Sequence, residues 1–304
     1  KLYWVLTNYC NLGCAYCYYN TGLSPRHFSK FPYADYKKII PQFKAHFDEI
    51  IFTGGEPLLN KDLFKIARLC HQAGLEISLL TNGVLLNEPI IAKIITTGFK
   101  AVSVSLDSLR PEVNDFQRGQ GALVIRNLQN LLKLRPKGME IEIMQTVTRQ
   151  NLADILTISQ FCKANQIAHW IDPVEINPAV LRVQKLALEK TTQKERQNLE
   201  QALLKWAGKD PVLLKYTAAV LSLIQRQKPT NLFCPMGTNH FVLDVDHNLY
   251  PCFSRHDLSL GNVFQAPLSQ ILANKKYLQE AQPQLQQAKC VTLGCVCMTI
   301  AGSY

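Results

Sequence analysis

Three cysteines at C-x3-C-x2-C spacing, in Tyr9-Cys10-Asn11-Leu12-Gly13-Cys14-Ala15-Tyr16-Cys17-Tyr18, constrain this chain more than any other stretch. They directly follow the strand-like run Leu2 to Leu6. A loop of this length can wrap three sulfurs around one face of a cubane iron–sulfur cluster, which ordinarily takes four thiolates. Three ligands leave one iron open for an exchangeable group. Buried core thiols are the plain alternative, because free cysteine buries readily, but three in eight positions between small and aromatic residues is poor core patterning. Zinc is the stronger rival, since C-x2-C pairs bind it. It needs a fourth ligand close by, and the next candidate, His27, completes no familiar finger.

From Glu49 to about Ile176 short apolar runs alternate with helical patterns. Strands are expected at Glu49 to Phe52, Ile77 to Leu80, Ala101 to Leu106, Ile141 to Val147 and Ala168 to Ile171. Helices are expected from an Asn60 cap to Gly74, from an Asn87 cap to Gly98, over Gly121 to Leu134 and over Asn151 to Asn165. Repeated βα units with continuous apolar strands mean a parallel sheet covered by helices, an α/β fold. Six units are too few to close an eight-strand barrel. The motifs Cys10 to Cys17, Gly54 to Pro57, Asn82, Ser105 and Thr148 all follow or end strands, the edge where such sheets gather ligands. Cys70 and Cys162 lie in helical patterns and read as buried thiols. Asp172 and Glu175 end the last strand, where a surface role competes with a substrate contact. Gly208 and Pro211 divide the Leu-, Lys- and Gln-rich stretch from about Leu181 to Pro229 into two helices.

The cysteine spacing resembles that of the radical S-adenosylmethionine (radical SAM) superfamily, and further motifs extend the likeness. Thr53-Gly54-Gly55-Glu56-Pro57 matches the family's GGE motif. Ser105-Leu106-Asp107-Ser108 with Asn114-Asp115-Phe116-Gln117-Arg118 resembles its S-x-D-G and H-D-x-x-R patterns, departing at Ser108, usually glycine, and at Asn114, usually histidine. The resemblance implies a partial (β/α)6 barrel, open on one side. It implies that Cys10, Cys14 and Cys17 hold a [4Fe–4S] cluster whose open iron chelates SAM. It further implies that Gly54, Gly55, Glu56 and Pro57 bind or brace the methionine ammonium, two glycines letting backbone approach a ligand closely. Ser105 would bind the ribose, Arg118 the SAM carboxylate, and Tyr16 would pack beside the adenine; the alternatives are a strand-end cap for Ser105, a surface ion pair for Arg118 and a core contact for Tyr16. Thr148 and Asn151 would reach the nucleoside, with an N-cap role the alternative for Asn151, and Asn82 is a further candidate for cofactor binding.

Cysteines return at the C-terminal end: Cys234, Cys252, Cys290, Cys295 and Cys297. Phe241 to Val245, a turn at Asp246-His247-Asn248, and Leu249-Tyr250-Pro251-Cys252 read as a hairpin that brings Cys234 and Cys252 together. A helix is expected from about Pro267 to Glu280. This tail resembles the SPASM/Twitch extension of a radical SAM subgroup. Full SPASM domains carry more cysteines and two auxiliary clusters; five suffice for one four-thiolate cluster. The resemblance implies one auxiliary [4Fe–4S] cluster on Cys234, Cys252 and two of Cys290, Cys295 and Cys297. The remaining thiol is inert or a catalytic hydrogen-atom donor. A zinc ribbon is the alternative for the tail. The expected domains are a barrel over 1–180, a helical linker or cap over 181–230 and a small iron–sulfur domain over 231–304.

Composition narrows the function classes. Hydrophobic content of 47% and charged content of 18% are those of a folded globular protein. No apolar run reaches the roughly 18 residues of a membrane span, and since Lys1 to Leu6 runs straight into the cysteine loop, neither a signal peptide nor a preceding peptide-recognition domain is expected. Clustered thiols without an export signal suit the reducing cytoplasm. A net charge of +10 suits acidic partners, such as a flavodoxin or ferredoxin electron donor, or is simply a solvated surface. No nucleic-acid motif accompanies the charge. The resemblance implies reductive cleavage of SAM and hydrogen abstraction, with a peptide substrate and a separate leader-binding protein expected. The alternatives are a dehydrogenase or maturase acting on a small molecule or a sulfatase and, in another class, a cluster-carrying electron-transfer protein.

Overall fold

The computed structural model describes residues 1–17, 19, 33–174, 186–225, 236–253, 257–274 and 279. Strands and helices alternate in the order β1 (Leu2–Thr7), α1 (Tyr33–Lys44), β2 (Glu49–Gly54), α2 (Leu63–Gln72), β3 (Glu76–Thr81), α3 (Glu88–Thr97) and β4 (Ala101–Ser105). They continue through α4 (Pro111–Gln117), α5 (Gly121–Leu134), β5 (Glu140–Val147), α6 (Asp154–Asn165) and β6 (Ala168–Pro173). Beyond these lie α7 (Gln193–Ala207), α8 (Pro211–Ile224), β7 (Phe241–Leu243), β8 (Asn248–Tyr250), β9 (Gly261–Asn262) and α9 (Leu268–Leu272).

All these strands form one sheet in the order β6-β5-β4-β3-β2-β1-β7-β8-β9. β1 to β6 pair in parallel with their neighbours, as the βα alternation predicts. β7 lies parallel to β1, with Leu2 opposite Phe241, and β8 and β9 follow antiparallel. The C-terminal hairpin therefore continues the barrel sheet, covering the edge β1 would otherwise leave unpaired. Leu243, Leu249, Leu260, Leu268 and Ile271 share the main core.

Period-two alternation sorts each strand into two faces. Outward side chains such as Leu2, Trp4, Leu6, Ile50, Phe52, Val102 and Val104 are wholly buried beneath helices. Trp4 anchors that layer, its ring meeting those of Tyr36, Phe43 and Phe52. Each such burial is worth about 1.5–3 kcal/mol. Inward side chains, among them Tyr3, Ile51, Leu80, Ser105, Met144 and Trp170, stay half-exposed around the barrel interior.

Asn87 caps α3 by accepting from the Ile90 N–H, and Gly98 closes it at φ +91°, as its pattern predicts. α7 starts on a Thr192–Glu195 capping box, and Gly208 and Pro211 separate it from α8. Two expected caps are corrected. α2 starts at Leu63 with Asp62 at the N-cap position; Asn60 stands one turn earlier, its Oδ1 accepting from the Asp62 N–H at 2.9 Å and its amide donating to Leu6 O at 3.0 Å. α6 starts at Asp154 with Ala153 at the N-cap position; the Asn151 amide instead donates to the carbonyls of Asp107 and Thr146. Cys70 and Cys162 are buried in the core, as their helical pattern predicts. The expected last helix covers Leu268–Leu272, and most of its remaining expected span lies outside the described residues.

Candidate active site

The carboxyl ends of β1 to β5 converge on the cysteine loop. On its near side the Gly55 N–H donates to Thr7 O and the Glu56 N–H to Tyr9 O, both at 2.7 Å. A Cβ at Gly54 would stand 2.2 Å from Thr7 O, and one at Gly55 2.1 Å from Tyr9 O. In this structure the glycine pair admits another stretch of backbone, the start of the cysteine loop. Pro57 opens a short 3-10 turn, Pro57–Leu59. The wholly buried Glu56 accepts from the Leu58 N–H (3.0 Å), the Thr81 hydroxyl (2.8 Å) and the Asn82 N–H (2.8 Å). Burial pushes its carboxyl up to about 7, those three hydrogen bonds pulling the other way. The Asn82 amide donates to Asn11 Oδ1 at 2.7 Å and lies 3.5 Å from Cys10 Sγ.

On the far side the Ala15 N–H donates to Gln117 O at 2.8 Å. The Tyr16 hydroxyl donates to the Asp107 carboxylate. Arg118 pairs with the same carboxylate, Nε to Oδ2 at 2.9 Å, and lies over the Tyr16 ring at 5.3 Å from its centroid. Its Nη2 donates to Thr146 Oγ1 at 3.2 Å. Sequence reasoning assigned Tyr16 to adenine and Arg118 to the SAM carboxylate; here both meet at Asp107, to which it gave no role. The available signal was the aspartate at the strand end in Ser105-Leu106-Asp107-Ser108.

Thr148 is buried; its hydroxyl donates to Gln117 Oε1 at 2.8 Å and its N–H to Asn151 Oδ1 at 2.8 Å. Ser105 ends β4, half-buried, in register with Met144. The two departures from the family pattern have local work. The Ser108 hydroxyl donates to Asp154, which Arg110 also clamps, and Asn114 Oδ1 accepts from the Asp107 N–H. Asp172 lies on the inner face of β6 opposite Thr146.

Cys10, Cys14 and Cys17 are half-buried and outside any disulfide. Burial pushes the Cys14 thiol up to about 11, and the Arg118 guanidinium pulls it the other way. The Leu12 N–H points at Cys10 Sγ, 3.4 Å away, a hydrogen bond of the kind that tunes cluster sulfurs. Among the described residues no three His, Cys, Asp or Glu side chains gather closely enough for a single ion. Three free thiols on one short loop are the donor type a cubane takes, one thiolate to each iron.

Cys252 is buried after β8 among Val5, Met236, Val242 and Val245, with Tyr3, Tyr19, Tyr250 and Phe253 packed against them. Tyr19 brings the downstream end of the cysteine loop into this cluster. Cys234, Cys290, Cys295 and Cys297, and Glu175, lie outside the described residues.

The radical SAM superfamily model matches residues 4–162, and the SPASM model, an iron–sulfur cluster-binding domain, matches residues 234–297. An AdoMet-dependent heme synthase of Methanosarcina barkeri is 34% identical over 168 residues, 53% of this chain and 46% of that relative. The chain thus spans less than half of that relative's length. An AdoMet-dependent heme synthase of Oleidesulfovibrio alaskensis is 25% identical over 94% of this chain and 78% of its own. Streptococcus suis SuiB bound to its precursor peptide SuiA shares the fold, with a TM-score of 0.71 and 16% identity over 98% of this chain and 70% of SuiB. The two matched domains imply a SAM-binding [4Fe–4S] cluster and an auxiliary cluster. The chain belongs to the radical SAM superfamily and carries a SPASM-type iron–sulfur domain at its C-terminal end.

Proposed function

We propose that this enzyme modifies a peptide: it cleaves SAM reductively and takes a hydrogen atom from a ribosomally made substrate, the step before a crosslink, an epimerisation or a backbone excision. The cluster and SAM supply the electron and the 5′-deoxyadenosyl radical. The protein's own residues position them. Cys10, Cys14 and Cys17 hold the SAM-binding cluster, with Gly54 to Pro57, Asn82, Ser105, Arg118, Thr148 and Tyr16 around the nucleotide. Cys252 joins Cys234 and two of Cys290, Cys295 and Cys297 at the auxiliary cluster, in a domain over 231–304 that follows a barrel over 1–180 and a helical segment over 181–230. The remaining thiol is either inert or a hydrogen-atom donor.

One observation carries the peptide reading. The sheet runs from β6 to β9 without closing among the described residues, and its inner face is half-exposed. Such an opening accepts an extended chain, and a precursor peptide is what SuiB, of the same fold, is described as binding. The likeness to the heme synthases favours a second reading, a tetrapyrrole substrate. Against it, the inner face carries Glu142, hydrogen-bonded to Ser103, and Asp172, and carboxylates repel a polycarboxylate.

A separate leader-binding protein and an acidic flavodoxin or ferredoxin complete the proposed partners, and the cytoplasm is the proposed compartment. No helix among the described residues is long and apolar enough to cross a membrane. Co-expression with candidate precursor peptides, read by intact mass, tests the proposal. A SAM-dependent mass change on a peptide is expected. Unchanged peptides together with turnover of a tetrapyrrole would establish the second reading.

A further inference from the structure

We infer that Asp107 is a positioning residue for the SAM-binding cluster: it ties the cysteine loop to the far side of the barrel and neutralises the arginine buried behind that loop. The inference rests on the proposal that Cys10, Cys14 and Cys17 hold the cluster.

Asp107 is wholly buried, and both carboxylate oxygens are engaged. Oδ1 accepts from the Thr146 N–H at 2.9 Å, at the end of β5. Oδ2 receives the Tyr16 hydroxyl and pairs with Arg118. Its own N–H donates to Asn114, and its carbonyl accepts from Gln145 and Asn151. A side chain fixed from so many directions can place whatever it holds. What it holds is Tyr16, between the second and third cysteines and 91 residues away in sequence. Apart from the Ala15 N–H to the Gln117 carbonyl, the loop's other ties named above run to the β2 and β3 ends. Tyr16 completes the suspension.

The charge argument is independent of the tie. The Arg118 side chain is only 10% exposed, and its guanidinium lies 5.3 Å from the ring centroid of Tyr16, the residue between the second and third cysteines. Its ionic partner is Asp107. Adding an electron to a cluster adds negative charge, so an uncompensated cation nearby favours reduction. By balancing Arg118, Asp107 keeps the site close to neutral and the cluster potential low, which suits a cluster that must deliver an electron to SAM.

Two measurements on the reconstituted full chain test this. EPR-monitored redox titration of Asp107→Asn is expected to move the cluster midpoint to a more positive potential, with iron content retained. Asp107→Asn combined with Arg118→Gln removes both charges and is expected to bring the midpoint back towards the unsubstituted value. The double variant also serves if the single one does not fold, because removing both partners of a buried pair is tolerated better than removing one. Iron loss to a chelator is expected to be several-fold faster in Tyr16→Phe, which keeps the charge pair and loses only the hydroxyl. An unchanged midpoint in Asp107→Asn, or in the double variant a midpoint displaced as in the single one, would overturn the charge role. Iron release from Tyr16→Phe at the unsubstituted rate would overturn the tie. An unsubstituted chain that takes up no cluster on reconstitution would instead overturn the reading beneath the inference.

Discussion

The Cys10–Cys17 loop hangs from directional bonds, while Cys252 sits in a bed of apolar side chains. The loop's ties run to the Thr7 and Tyr9 carbonyls from the Gly55 and Glu56 N–H groups, to Asn11 from Asn82, to Gln117 from Ala15 and to Asp107 from Tyr16. Cys252 belongs to a buried cluster with Val5, Met236, Val242 and Val245, against which Tyr3, Tyr19, Tyr250 and Phe253 pack. Hydrogen bonds fix distance and direction, whereas burial is non-directional and fixes little beyond volume. The loop, proposed to present three sulfurs and leave one iron free, has the first kind of support. Cys252, proposed as one of four thiolates of the auxiliary cluster, lies in packed apolar volume.

Gly55→Ala is the harshest way to break this contrast. Its methyl would meet Tyr9 O at 2.1 Å, a clash worth about 3 kcal/mol or more. Loss of the SAM-binding cluster is expected, read as iron content and as failure to form 5′-deoxyadenosine. Cys252→Ala is milder, because its apolar neighbours tolerate a smaller side chain. Iron is expected to fall from about eight to about four per chain, while SAM cleavage persists. Loss of SAM cleavage with the first cluster intact would mean that the two regions are not separable.

The pH response sharpens the same comparison. Glu56, beside the loop, is pushed up to about 7. Between roughly 4.5 and 7 the folded form keeps a proton the unfolded form has lost, so this site gains stability as pH falls through that window. His240 and His247, on the hairpin side, are pushed by burial to about 4. There the unfolded form takes up protons first, so stability is lost as pH falls from about 6.5 to 4. Hydrogen exchange corrected for intrinsic rates is expected to show β7 and β8 losing protection in acid before β2 and β3. The reverse order would refute the assignment. Gly138→Ala is the smallest test. Its φ is +92° but nothing lies within 4 Å of the added methyl, so only backbone strain of about 1–2 kcal/mol is expected, with both clusters retained.

The elements that repeat a local rule were legible in the sequence. Continuous apolar strands, the Asn87 and Gly98 helix ends, and motifs falling at strand ends need only neighbouring residues to be read. α1 escaped notice, and it carries Pro41 within it, a residue that argues against a helix. Asn60 and Asn151 carry the residue type of a cap, but their amides donate to the distant carbonyls of Leu6 and Asp107, which no local pattern reveals. The Tyr16–Asp107 tie and the pairing of Leu2 with Phe241 join residues far apart in sequence, so only the fold reveals them. The cysteines were visible by spacing; what holds them was not.

Anaerobic incubation of the reconstituted chain with SAM and dithionite, with iron counted and 5′-deoxyadenosine measured by chromatography, tests the central claim most directly. The unsubstituted chain is expected to form the nucleoside, and Cys14→Ala to lose both the product and about half of the iron. A Cys14→Ala protein that keeps its full iron complement and still cleaves SAM would contradict the account.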